Sequence, residues 1–195
     1  MITLDARTVM RTEEFLKRFP KEAPKYISDA VNRTATATKT AMVNRIAETH
    51  VVQPAAVKKT IHITRSPLAV VVSSLGTAIR LANFNIAQEI DSHQVMARVL
   101  RGGSMKPLGN KIFIGSLIRG RKKGKAGGFT YQKNKFAVFK RTGSSRLPIE
   151  QKYGPAVPSM LKADEVGIKL IEQRAQTVMK DRLNRGFDQL ERKFK

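Results

Sequence analysis

The sequence predicts an α+β fold, with a mostly antiparallel sheet flanked by N-terminal helices and a long C-terminal amphipathic helix. Between residues 60 and 141, several short stretches alternate apolar and polar residues, which is typical of strands. Near both ends of the chain, apolar residues instead recur at steps of three and four, as in amphipathic helices. We expect one domain of 195 residues, with helices at 10–49, the sheet at 60–141 and the last helix at 162–195.

The N-terminal part predicts two helices after an extended lead-in at residues 1–10. Thr12, followed by two glutamates, is a suitable start for the first helix, which Pro20 interrupts. The second helix is predicted from near Pro24 to about Glu48. Its small residues allow close packing, either inside the monomer or along a partner helix. Two inward faces fit the spacing: Ile27, Val31, Thr34, Thr38, Ala41 and Arg45, or Ala30, Ala37, Ala41, Val43 and Ile46.

The middle of the chain predicts a short helix from Pro54 to about Lys59, followed by strands. Residues 61–64 and 68–74 indicate an antiparallel hairpin whose second strand is buried on both faces. Residues 79–92 are predicted as a loop because of their asparagines. Further strands are expected at 95–99 and 111–114, and the last strand at 136–139.

Three prolines lie within residues 142–161, here called the proline segment. Each proline fixes its own φ and favours extended geometry in the residue before it, so we expect a stiff arm that is neither a helix nor a central strand. The arm is either a loop packed on its own domain or an elbow that contacts a neighbouring subunit and loses little entropy on docking. The candidate contact residues are Leu147, Pro148, Ile149, Tyr153, Pro155 and Pro158.

The last helix has an apolar stripe that continues to Phe194. Asp164 and Glu165 open the helix and basic residues close it, as the helix dipole favours. The stripe extends further than a small sheet could cover, and an uncovered stripe indicates a partner. We therefore add Phe187, Leu190 and Phe194 to the predicted subunit interface.

The chain is strongly basic, with 37 Lys and Arg against 15 Asp and Glu and a net charge of +22. A charge of this size indicates a polyanionic partner or acidic protein neighbours. It is most concentrated in a glycine-rich loop predicted at 115–128, here called the basic loop. The loop has five cations that could contact a nucleic-acid backbone non-specifically or bind an acidic patch on a protein. They are Arg119, Arg121, Lys122, Lys123 and Lys125.

Catalytic and metal-binding patterns are lacking in the sequence. There is no cysteine, the three histidines are scattered, and neither a P-loop nor a G-x-S-x-G motif occurs. We expect no enzymatic activity, no metal, no cofactor and no small-molecule substrate. No apolar stretch approaches the roughly 20 residues of a membrane span, and no signal-peptide core is found, so we expect a soluble protein that is not secreted and does not bind membranes.

A family resemblance is carried by residues 79–161. The run R-T-G-S-S-R-L-P-I-E-Q-K-Y-G-P-A-V-P-S-M-L at 141–161 resembles the signature of the phage minor tail protein Z family, the tail-completion proteins of tailed bacteriophages. Ile79, Leu81 and Phe84 match the family's I-x-L-x-x-F pattern, and residues 111–114 resemble its A-F-I-x pattern, with Lys111 where alanine is usual.

The resemblance implies a structural virion protein at the head-proximal end of the tail or at the neck, assembled in the host cytoplasm. It further implies a homo-oligomeric ring, six-fold or a multiple of six, that contacts other tail or neck proteins and through which DNA passes. Two alternatives stay open from the residues alone. One is a nucleic-acid-binding protein of ribosomal-protein type, and the other is a tail assembly chaperone absent from finished particles.

Overall fold

The computed structural model describes residues 6–66, 69–89, 94–116 and 136–194. The helices in these ranges are α1 Ala6–Arg18, α2 Ala23–Thr49, α3 Pro54–Thr60, α4 Val157–Lys162 and α5 Glu165–Lys193. The first five strands are β1 Ile61–Ser66, β2 Ala69–Ser74, β3 Ala78–Arg80, β4 Asn85–Gln88 and β5 Val95–Arg98. The other five are β6 Lys106–Pro107, β7 Ile112–Ser116, β8 Phe136–Arg141, β9 Ile149–Gln151 and β10 Tyr153–Ala156. A 3-10 turn, Leu81–Asn83, follows β3.

The α+β class predicted from the sequence is confirmed, and every strand pairing in the described residues is antiparallel. In the part of the chain that the structure describes, the single expected sheet is replaced by four small ones, with strand orders β1-β2, β10-β3, β4-β5-β6 and β7-β8-β9. The strands have only two to six residues, so each ladder is short.

The chain forms two compact units, each built from separate segments. The first, the helical unit, takes its described residues from Met1–Ile46, Val57–Gly76 and Val157–Lys195. The second, the strand-rich unit, takes them from Ala47–Ala56 and Thr77–Ala156. The sequence expectation of a single domain stays a prediction.

The core of the helical unit lies where α1 packs on the C-terminal part of α5. The rings of Phe15 and Phe187 stack with their centroids 4.2 Å apart. Arg11 of α1 donates hydrogen bonds to Asn184 (3.1 Å) and Asp188 (3.0 Å) of α5. Tertiary packing of this kind stabilises α1, which begins at Ala6. The extended lead-in predicted for residues 1–10 is therefore wrong for residues 6–10, the part of it that the structure describes.

Helices α2 and α5 run antiparallel to each other in this unit. Near one end, a Cβ at Gly186 would lie 3.2 Å from the Cβ of Tyr26, so a glycine at this point allows the close approach. Further along, the Thr34 hydroxyl donates to the Met179 sulfur at 3.4 Å. Neither of the two inward faces proposed for α2 is correct alone. The buried residues are Thr34 from the first face, Ala30, Val43 and Ile46 from the second, and Ala23 and Ala35 from neither.

The start of α5 is held by Asp164. Its carboxylate accepts the backbone N–H of Gly167 at 2.9 Å, which makes it the N-cap residue. The same carboxylate pairs with the Arg45 guanidinium through two hydrogen bonds of 2.6 and 3.0 Å. The sequence predicted the acidic helix start, and the arginine partner on α2 is a finding of the structure.

Three sequence predictions in the middle of the chain need correction. Strand β2 is not buried on both faces, because it belongs to a two-stranded hairpin and alternates between exposed and half-buried residues. The predicted loop at 79–92 contains most of β3, the 3-10 turn and β4; β3 pairs with β10, which is distant in sequence, and β4 pairs with β5, the next strand. The strand at 136–141 is not the last, since β9 and β10 follow it.

Candidate interaction surfaces

The backbone of the proline segment is ordered by hydrogen bonds. Thr142 closes the turn before β9, because its N–H and its hydroxyl both donate to the Pro148 carbonyl, at 3.2 and 3.1 Å. Strand β9 then pairs with β8, and β10 pairs with β3. Between them the Lys152 N–H donates to Val138 at 2.7 Å, and its carbonyl accepts from Leu81. The predicted extended geometry is therefore found in residues 149–156.

The end of the segment departs from the sequence prediction, which excluded a helix. Helix α4 begins at Val157, and Pro158 is its second residue. In the first turn of a helix the N–H has no partner within the helix, so a proline loses no hydrogen bond there. Val157 and Met160 of α4 are buried, whereas Pro158 is exposed.

Three large apolar side chains of this ordered segment face solvent in the strand-rich unit. Leu147 is 66% exposed, Ile149 39% and Tyr153 52%. Each belongs to the set predicted as subunit contacts. Pro148 is exposed and Pro155 half-buried. We call Leu147, Pro148, Ile149, Tyr153 and Pro155 the proline-segment patch; apolar groups held in water on a fixed backbone form a surface suited to a protein partner.

The sheet that contains Ile149 of this patch carries an aromatic pair. The rings of Phe113 and Phe139 lie 5.7 Å apart on β7 and β8, and the Arg141 guanidinium lies over the Phe113 ring at 5.3 Å. Arg141 pairs in register with Ile149 of β9. Gly115 allows the Phe139 ring to lie over it, since a Cβ there would be 3.1 Å from that ring.

The residues that carry the family resemblance meet inside the strand-rich unit. Ile79, Leu81 and Phe84 are all buried. Strand β3, which contains Ile79, pairs with β10, which contains the Y-G-P motif. A Cβ at Gly154 would lie 2.5 Å from a ring carbon of Phe84, closer than any real Cβ contact, so the motif needs its glycine. The two motifs thus share one packing contact.

The predicted contacts of the last helix are corrected in part. Phe187 and Leu190 are fully buried in the core of the helical unit, in a cluster with Phe15 and Phe19. The stripe is covered at these positions by the chain itself, which the sequence prediction did not anticipate because it did not pair α1 with α5. Phe194 lies beyond this core; its ring centroid is 5.2 Å from that of Phe19, and the residue is 50% exposed.

Arg119, Arg121, Lys122, Lys123 and Lys125 of the basic loop lie outside the described residues. Of the histidines, His50 is buried, with its ring Nδ1 2.8 Å from the Thr49 hydroxyl, and His62 is exposed. His93 also lies outside the described residues. In the described part of the chain, no group of three or more His, Asp or Glu residues could hold a metal ion. None of the helices described here has the length and apolar character needed to cross a membrane.

The helical unit contains a groove that the sequence did not predict, which we call the arginine groove. Its volume is about 640 Å³. Arg65 of β1 and Arg174 and Arg182 of α5 line it together with one stripe of α2. The α2 residues in this stripe follow helical spacing: Asp29, Asn32, Arg33, Thr36, Ala37, Thr40, Ala41 and Asn44. The Ala/Thr repeat of α2 is the only sequence signal of this site, since its arginines come from three distant segments.

Two of the four arginines in the groove have partners within it. Arg33 pairs with Asp29 at 2.7 Å, and Arg65 donates to the Asn32 side-chain oxygen at 3.0 Å. The side chains of Arg174 and Arg182 have no hydrogen bond or ion pair with another residue in the described ranges. The groove lining therefore carries four positive charges and one negative charge.

Comparison with known protein families identifies the chain. The model of the family described as prophage minor tail protein Z (GPZ) matches residues 11–194. The chain belongs to the prophage minor tail protein Z family. Comparison with curated proteins and with solved structures gives no match.

Membership in the minor tail protein Z family makes the chain a minor structural component of a bacteriophage tail, and so part of the virion. The match extends well beyond the motifs at 79–161 that carry the resemblance. It includes α2, α5 and most of α1, so the arginine groove and the proline-segment patch both lie in the matched region.

Proposed function

We propose that this minor tail protein is a non-enzymatic tail-completion component at the head-proximal end of the tail or neck. In this proposal its copies form a closed ring, six-fold or a multiple of six, through which DNA passes. The ring contacts other tail or neck proteins, and the chain is assembled in the host cytoplasm before it enters the virion. The minor tail family supports a structural role in the tail, and the finer assignment is our own.

The observation that carries the proposal is the proline-segment patch. Burying a Leu, Ile or comparable side chain contributes about 1.5–3 kcal/mol relative to leaving it exposed. Leu147, Ile149 and Tyr153 remain in water on a backbone that is hydrogen-bonded to β3 and β8. Because this backbone is already ordered, a neighbouring copy could cover the patch at a small entropic cost. We propose Pro158 and Phe194 as separate contacts from the helical unit.

The proposal also gives the basic loop a role, which is to contact anions inside the assembled tail. Its five cations would face either the DNA in the passage or acidic neighbours in the tail. A ring of chains that each carry a net charge of +22 would repel itself unless such anions neutralised it. Contact with the DNA backbone through this loop would be independent of base sequence.

The contact role of the patch is tested by Leu147→Asp in the full chain. A charge at this exposed position should leave the fold intact but prevent burial against a neighbouring copy. We expect a clear loss of the ring species in analytical ultracentrifugation, and incomplete tails when the variant replaces the wild-type protein in the phage.

Leu100→Asp is the matched control, because Leu100 belongs to the same unit and is 56% exposed, but lies outside the patch. It should assemble as the wild-type chain does. If both variants form rings as readily as the wild type, the patch is not the contact between copies.

A further inference from the structure

We propose that the arginine groove is a docking site for an acidic α-helical segment of another tail protein. The site differs from the basic loop and from the proline-segment patch, and it lies wholly within the helical unit. It does not depend on whether the chain forms a ring or contacts DNA. From the family assignment the proposal takes only that the chain is surrounded by other tail proteins.

The shape of the groove suits a helix. Its α2 stripe extends from Asp29 to Asn44, which corresponds to about 22 Å along the helix axis at about 1.5 Å per residue. Along this stripe Thr36, Ala37, Thr40 and Ala41 present only short side chains. Short side chains allow two helix axes to approach to about 8 Å. A partner helix of about 15 residues would match the length of the stripe.

The charges of the groove require an acidic occupant. Asp29 already neutralises Arg33, and Asn32 already orients Arg65. Arg174 and Arg182 keep their guanidinium donors available, and they lie about 12 Å apart along α5 at about 1.5 Å per residue. A guanidinium pairs with a carboxylate in a two-pronged geometry. We therefore expect two carboxylates about two helical turns apart on the partner.

A second copy of this chain is a poor occupant of the groove. The chain has 37 basic and 15 acidic residues, so each copy carries a net charge of +22. Two copies would bring like charges together. Duplex DNA also fits poorly, because its backbone would leave the methyl groups of Ala37 and Ala41 without apolar contacts. A protein helix supplies apolar side chains for these methyl groups as well as carboxylates for the arginines.

Binding of a defined peptide to the full chain tests the proposal. The probe is a labelled, capped 16-residue Ala/Leu peptide with glutamates spaced two turns apart, followed by fluorescence anisotropy at low salt. We expect Arg174→Glu with Arg182→Glu to weaken binding by at least about tenfold. The control, Lys169→Glu with Arg185→Glu, makes the same charge change at exposed positions of α5 outside the groove lining. It should weaken binding much less.

A second pair of variants tests the shape of the groove without changing its charge. Thr40 and Thr177 are both exposed helix residues whose hydroxyls donate to the carbonyl four residues earlier, but only Thr40 lines the groove. Thr40→Trp should block the peptide by filling the groove, and Thr177→Trp should leave its affinity unchanged.

Three results would overturn the proposal. The first is that the wild-type chain does not bind the peptide at all. The second is that the groove and control variants lose affinity equally, which would show diffuse charge attraction. The third is that the variants of Arg174, Arg182 and Thr40 weaken binding of a 16-base-pair DNA duplex but not of the peptide. The groove would then be a site for the phosphate backbone.

Discussion

At Gly154 the backbone of β10 lies so close to the Phe84 ring that there is no room for a side chain. Phe84 is buried, so its ring cannot move away into solvent. This contact gives a physical reason for the glycine of the Y-G-P motif and for the phenylalanine of I-x-L-x-x-F. Gly167 has a comparable position in the helical unit, because a Cβ there would overlap the Asp164 carboxylate and the Arg45 guanidinium.

We predict that Gly154→Ala lowers the free energy of unfolding by about 1–3 kcal/mol, since the methyl group overpacks a buried site. Gly102→Ala is the control in the same unit, because the space around Gly102 is open and the change should stay within about 0.5 kcal/mol. Chemical denaturation followed by circular dichroism measures both. Equal stability of the two variants would show that the Phe84 ring does not confine position 154.

Among the elements, the last helix shows how an apolar stripe can be misread. Its period predicted the helix correctly, and the end of its stripe, Phe187, Leu190 and Phe194, was assigned to partners. In the structure α1 covers Phe187 and Leu190, whereas Phe194 is half exposed. The difference is a matter of tertiary pairing: α1 and α5 lie at opposite ends of the sequence, and nothing local indicates that they meet.

We predict that Phe187→Ala destabilises the helical unit by about 3–5 kcal/mol, because it leaves a cavity beside Phe15. Phe194→Ala should cost less than about 1 kcal/mol, since half of that residue is already in water. Thermal unfolding compares the two variants. If Phe187→Ala instead kept full stability and changed only the mass of the assembly, this phenylalanine would be a subunit contact as the sequence first indicated.

The elements that the sequence predicted well are those with strong local patterns. Helix α5 follows its apolar period, and the β1-β2 hairpin follows its alternation. Helix α2 also lies close to its predicted bounds, although its buried face was not predicted. The first turns of α1 and strand β3 were missed because contacts with segments distant in sequence stabilise them. Strand β4 was missed because its asparagines favoured a loop, although it pairs with the next strand, β5. Helix α4 was missed because Pro158 was taken to exclude a helix, although a proline is tolerated in the first turn.

The arginine groove could not be predicted for a different reason. Its arginines come from α2, β1 and α5, and only the antiparallel packing of α2 against α5 brings Arg174 and Arg182 beside the Thr/Ala stripe. Charge clusters that are local in sequence, such as the basic loop, attract attention first. Clusters that the fold assembles from separate segments require the structure.

For the whole molecule, the dominant physical fact is its positive charge. We predict that replacing Arg119, Arg121, Lys122, Lys123 and Lys125 by glutamine reduces the slope of log affinity for DNA against log salt by about 4–5, if each cation engages one phosphate. Filter binding or anisotropy with a duplex at several salt concentrations measures this slope.

The control for this prediction neutralises five exposed lysines of the helical unit: Lys21, Lys25, Lys58, Lys59 and Lys162. Removing them gives the same net charge without changing the loop. An equal reduction of the slope in both variants would mean that the loop has no special part in DNA contact, and acidic tail proteins would become its preferred partners.

The central claim is that copies of this chain form a ring at the head-proximal end of the tail. Electron cryomicroscopy of finished particles, with the chain located by its fold in the density, tests this claim most directly. The account predicts a closed ring around the DNA passage, six-fold or a multiple of six, with the proline-segment patch at the contact between neighbouring copies. Particles that lack the chain, or that carry it elsewhere or as isolated copies, would contradict the account.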